Sequence, residues 1–105
     1  MDMQEIVRQE VTTHPVVLYM KGTPQFPQCG FSGRAVQVLK AAGVDKFYSV
    51  NVLQNPGYVP AVKAFADWPT LPALFIKGEF IGGCDIMTEM YQAGELQPLL
   101  KDIAG

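Results

Sequence analysis

Apolar positions along the 105-residue chain fall into short continuous runs and longer helical spacings. Val16-Val17-Leu18-Tyr19-Met20 is an unbroken apolar run with β-branched members, the pattern of a strand covered on both faces. Before it, Ile6, Val7 and Val11 recur at helical spacing, with Asp2 and Glu5 as a capping box and His14-Pro15 as the stop. Residues 21–28 contain two prolines and a glycine and read as a loop. After Cys29, the residues Ala35, Val36, Val38, Leu39 and Ala42 define a helix that ends at Gly43. Residues 47–52 form a second short strand. Asn55-Pro56 could open a helix, but Pro60 would break its first turns, so the regular part is expected over 60–67. Residues 73–77 and 79–81 are two strands around Gly78. Asp85 is expected to cap a helix to about Gln92, stopped by Gly94, and a last helix covers 96–103.

A β-α-β unit followed by a helix and a hairpin implies an α/β chain with a four-stranded mixed sheet and helices on both faces, arranged as in a thioredoxin-like domain. The length suits a single domain over residues 1–105, and 49% hydrophobic residues supply a core without disulfide staples. Ten acidic against eight basic residues give a net charge of −2, which argues against nucleic acid as partner. No segment clusters Lys and Arg for a membrane surface, and no run is long enough to span one. The acidic N-terminal stretch lacks the apolar stretch of a targeting signal. With two unpaired-looking cysteines, the expected compartment is reducing, hence cytoplasmic.

Cys29 stands where a strand, a loop and a helix meet, the edge of an α/β sheet where ligands bind. N–H groups of Gly30, Phe31 and Ser32 would face its sulfur and, with the helix dipole and Lys21, favour the thiolate. The alternative for any free cysteine is a buried small hydrophobe. Ser32 sits where a Cys-X-X-Cys motif holds its second thiol, so no disulfide forms within the motif. Cys84 could resolve Cys29 only if their Cα atoms come within about 7 Å. His14, alone and next to a proline, reads as a turn residue rather than a metal ligand.

Lys21-Gly22-Thr23-Pro24, Pro27 and Cys29-Gly30-Phe31-Ser32 resemble the active-site stretch of the monothiol glutaredoxins. Trp68-Pro69-Thr70-Leu71-Pro72 and Gly82-Gly83-Cys84-Asp85-Ile86 resemble that family's two other signatures, in order and spacing. The resemblance covers essentially the whole chain. It implies a thioredoxin-like fold, glutathione binding, and a [2Fe–2S] cluster shared between two protomers. It also implies roles in cluster biogenesis and iron homeostasis, with BolA-type proteins and iron–sulfur clients as partners. Thiol-transfer activity would be weak, and protein deglutathionylation by Cys29 is the alternative function.

Under this resemblance, Gly83, Cys84 and Asp85 would take the γ-glutamyl head of glutathione, two glycines allowing close approach and Asp85 receiving the ammonium. Leu71, before a cis-Pro72, would pair with the cysteinyl unit through its backbone. Thr70 joins that wall, although its role and that of Trp68 read mainly as fixing the turn. Lys21, and secondarily Lys63, would meet the glycyl carboxylate. Phe31 would either cover the thiol or line the contact between protomers. Val59 stands where the family often has an arginine, and Ala73 where a glutamine is common; both departures bear on the ligand's pose. An all-thiolate [2Fe–2S] centre needs four sulfurs. Two Cys29 metal ligands and two glutathiones supply them, so a homodimer forms with the cluster and the apo chain is a monomer.

Overall fold

The computed structural model describes residues 2–44, 46–101 and 103. Asp2 accepts from the Glu5 amide at 2.9 Å and opens α1 (Met3–Thr13), the capping bond its sequence predicted. β1 (Val16–Met20) leads through the 21–28 loop to α2 (Gly30–Ala41) and then β2 (Tyr48–Asn51). α3 (Tyr58–Ala66), β3 (Ala73–Ile76), β4 (Glu79–Gly82), α4 (Cys84–Gln92) and α5 (Leu96–Leu100) follow. The sheet order is β2-β1-β3-β4, with β1 and β2 parallel and the other pairs antiparallel. The parallel pair is possible because α2 makes the crossover.

Every residue of β1 is buried, and the two core clusters show why. Val16, Leu18 and Met20 pack under α2, α4 and α5 through Leu39, Met87 and Leu96. Val17 and Tyr19 point the other way, onto Val7 and Val11 of α1 and Val62 of α3. Alternation is therefore present but invisible in the sequence, since both faces are covered. β3 and β4 turn through Lys77 and Gly78, both at positive φ (52° and 83°), the conformation a two-residue hairpin favours.

Four expectations are corrected. α3 begins at Tyr58, two residues before Pro60. Pro60 lies within the first turn, where an amide lacks a helical partner in any case, so the ring costs no bond. Asp85 does not cap α4; Gly83 holds that position and Asp85 lies in the first turn. α5 ends at Leu100, with Ile103 closing a turn onto Leu100 and Asp102 outside the described residues. β2 is shorter by one residue at each end than the expected 47–52.

Candidate functional site: the Cys29 helix start and its cleft

Chain leaving β1 is held tightly. Gly22 has φ 93°, and a Cβ there would lie 2.5 Å from the Gln28 nitrogen, so only glycine fits. The Gln28 amide donates to the Lys21 carbonyl at 2.9 Å, and Thr23 and Phe26 exchange backbone bonds of 3.2 and 3.1 Å. The result is a small hairpin that delivers Cys29 to the N-cap of α2 in extended conformation.

The Cys29 sulfur is half-buried, and its pKa is lowered from that of an ordinary thiol. The Ser32 amide contributes most; burial, the next in size, pushes upward, and the Phe31 amide, the Lys21 charge and the Ser32 hydroxyl add to the lowering. No amide closes a full capping bond on the sulfur, so the stabilisation is that of aligned N–H dipoles at a helix start. Gly30, expected among the donors, is not one of them.

Beside the thiol, a cleft of about 230 Å³ is lined by Phe31, Trp68, Thr70, Leu71, Pro72, Gly83, Cys84 and Asp85. The Leu71–Pro72 bond is cis, as the resemblance implied. A side chain at Gly83 would come within 3.2 Å of the Pro72 oxygen and the Trp68 Nε1, so glycine keeps this wall thin. The opposite thiol, Cys84, is buried and its pKa is raised, chiefly by burial. Thr88 and Arg34 lower it, whereas Asp85 and the charge of Cys29 add to the rise. The two cysteines thus lie within electrostatic reach of each other, both free.

The structure gathers seven sequence-predicted residues on the cleft wall: Phe31, Thr70, Leu71, Pro72, Gly83, Cys84 and Asp85. Cys29 and Lys21 stand next to it at the end of β1, where the Lys21 charge acts on the sulfur. Lys63 lies half-buried on α3, off the cleft wall; its carbonyl accepts from the Trp68 amide at 3.0 Å. Asp85 is exposed. One residue was read only as fixing a turn, and one was missed. Trp68 lines the cleft, with a buried Nε1 that has no acceptor among the described residues. Asn51 accepts from the Gly22 amide at 3.0 Å and so anchors the loop; a polar residue ending an apolar strand was its only signal. Among the described residues, no cluster of three or more His, Cys, Asp or Glu forms a metal site.

Residues 16–81 match the Glutaredoxin family model. The chain belongs to the glutaredoxin family. It is 49% identical over 100 residues to Glutaredoxin 4 of Escherichia coli (strain K12), covering 95% of this chain and 86% of that protein. It is 58% identical over 86 residues to the probable monothiol glutaredoxin GrlA of Legionella pneumophila, covering 82% and 96%. Among solved structures, reduced poplar apo GrxS14 superposes with a TM-score of 0.81 at 48% identity, covering 95% and 91%. A buckwheat glutaredoxin–glutathione complex superposes at 0.83 with 25% identity, covering 95% and 88%. In this glutaredoxin Ser32 leaves the motif a single thiol, which makes it a monothiol glutaredoxin, the class named for the Legionella relative.

Proposed function

We propose that this glutaredoxin binds glutathione along the cleft and uses Cys29 to carry a [2Fe–2S] cluster as cargo between two protomers. The observation that carries the reading is the asymmetry of its thiols. Each chain offers one accessible, thiolate-favouring sulfur, Cys29, while Cys84 is buried with its pKa raised. One thiolate per chain cannot satisfy a cluster that takes four. A second chain and two glutathiones make up the set, and exchangeable ligands suit a protein that hands the cluster on. The glutathione part is supported by the buckwheat neighbour, whose complex holds that tripeptide.

In this reading the first-turn amides of α4 and the carboxylate of Asp85 take the zwitterionic head of glutathione. The Leu71 backbone and Thr70 flank its middle, with Phe31 over the thiol end. Lys21, with Lys63 more remotely, draws the glycyl carboxylate. Val59 puts no charge where the family often has arginine, so the affinity rests more heavily on Lys21. The protein then serves cluster biogenesis and iron homeostasis in a reducing compartment such as the cytoplasm. No described helix is long and apolar enough to cross a membrane. BolA-type and apo-client proteins would meet the Cys29 face.

Anaerobic reconstitution with iron, sulfide and glutathione tests this. A visible chromophore that migrates with a dimer is expected, lost in Cys29→Ser and largely kept in Cys84→Ser. A cluster that survives Cys29→Ser overturns the assignment.

The lowered Cys29 pKa also favours a second reading, protein deglutathionylation. The thiolate attacks the glutathione sulfur of a mixed disulfide and releases the protein thiolate. A second glutathione thiolate then attacks the Cys29–glutathione disulfide, leaving glutathione disulfide and free Cys29. Turnover as fast as a dithiol glutaredoxin would make this the main activity.

A further inference from the structure

Trp68 is fixed in place by its backbone and by its ring. Its amide donates to the Lys63 carbonyl at 3.0 Å, and its indole lies against Phe80 at 5.5 Å between ring centroids. Gly83, the N-cap of α4, stands against the indole nitrogen: a Cβ there would lie 3.2 Å from Nε1. An indole N–H can only donate, yet this one is buried and has no acceptor among the described residues. An unpaired buried donor costs stability. On the wall of a binding cleft, such a donor is open to an acceptor that arrives with the ligand.

The place of the donor decides what it receives. It lies at the start of α4, where the first-turn amides favour negative charge. No Lys or Arg is among the residues that line the cleft, while Asp85 stands in the first turn of the same helix. An anion here meets neutral N–H donors, with a carboxylate beside it for a cation. An α-amino acid head, which bears both charges on one carbon, matches that pairing, and glutathione carries one in its γ-glutamyl unit. We propose that Trp68 Nε1–H donates to the α-carboxylate of that unit, making Trp68 a specificity-determining residue for a free α-amino acid head. Gly83 admits the acceptor, because a peptide without a side chain can give way to an incoming oxygen. The indole, packed on Phe80, keeps its direction meanwhile, so little ordering is left for the ligand to impose. The inference rests on glutathione as the ligand of the cleft and not on the cluster as cargo.

The chain has one tryptophan, so its indole proton is a single NMR resonance. The full apo chain is titrated anaerobically to saturation with reduced glutathione, and with γ-aminobutyryl-Cys-Gly, the same tripeptide without the α-carboxylate. Glutathione is expected to move the indole proton downfield. The truncated ligand is expected to move the Leu71 and Asp85 amides and leave the indole where it was. An indole unmoved by glutathione while those amides respond overturns the proposal and leaves glutathione binding standing. An equal indole shift with both ligands also overturns it. No response from any cleft amide removes glutathione binding and this proposal together. Trp68→Phe is expected to weaken glutathione about tenfold and the truncated ligand by less than about twofold. An equal loss for both is a packing effect and overturns the proposal. If Trp68→Phe does not fold by circular dichroism, the titration of the parent chain decides.

Discussion

Cys29 and Cys84 share one neighbourhood, yet their environments push them in opposite directions. Cys29 stands at the helix start with amides and Lys21 lowering its pKa, while burial raises that of Cys84. Alkylation at neutral pH is therefore expected to consume Cys29 at least about tenfold faster than Cys84, measured by peptide mass spectrometry. The signs for stability also differ. Because folding lowers the pKa of Cys29, its ionisation supports the fold above the ordinary thiol range, and this is lost as pH falls through the lowered value. Cys84 has its pKa raised, so its contribution is present below that range and is lost as pH rises through the folded value. The direction at Cys29 was legible because its place at a helix start was legible. The donors were less so. An N-cap side chain faces the second and third amides of its helix, which here are Phe31 and Ser32 and not Gly30.

At the scale of elements, one carboxylate ties four of them together. Glu10 of α1 accepts from Tyr19 of β1 at 2.9 Å, Tyr48 of β2 at 3.2 Å and Tyr58 of α3 at 2.9 Å. Burial and this carboxylate raise all three tyrosine pKa values, that of Tyr58 to about 12. Glu10→Gln removes the charge and one acceptor. It is expected to cost about 2–3 kcal/mol in urea unfolding, the range for hydrogen bonds to a charged group. Nothing in the sequence pointed to this set, because its members are 9, 38 and 48 residues apart. His14, read as a turn residue, caps α1 and stacks on Tyr48 at 3.9 Å between ring centroids. The 21–28 loop gives a second expectation. Gly22→Ala forces a side chain into a positive-φ site 2.6 Å from the Phe26 oxygen. It is expected to destabilise the chain by about 1–3 kcal/mol and to raise the Cys29 alkylation midpoint, because the loop carries Lys21 and the thiol.

For the whole molecule, the layered sheet sets what the surface can do. Helices cover both faces, so the reactive edge is the β1 end, where Phe26 (74% exposed) and Phe31 (61%) flank Cys29. Cluster assembly on that edge is expected to double the sedimenting mass, and removal of iron with a chelator to return the monomer, measured by analytical ultracentrifugation. Phe75, buried at the sheet centre against Tyr19, Phe65 and Phe80, holds the opposite layer. Phe75→Ala is expected to cost about 3–5 kcal/mol in chemical denaturation.

Local chemistry was readable from the chain itself, because its causes lie within a few residues. The α1 cap, the apolar β1 run, the helix behind Cys29, the hairpin around Gly78 and the single-thiol motif are all of this kind. Pairing between distant segments was decided only by the fold. It set Trp68 against Gly83, Asn51 under Gly22, Ser32 onto the Lys21 amide and three tyrosines around Glu10. Those contacts depend on how the layers close over the sheet, and a linear order of residues holds no record of that closure.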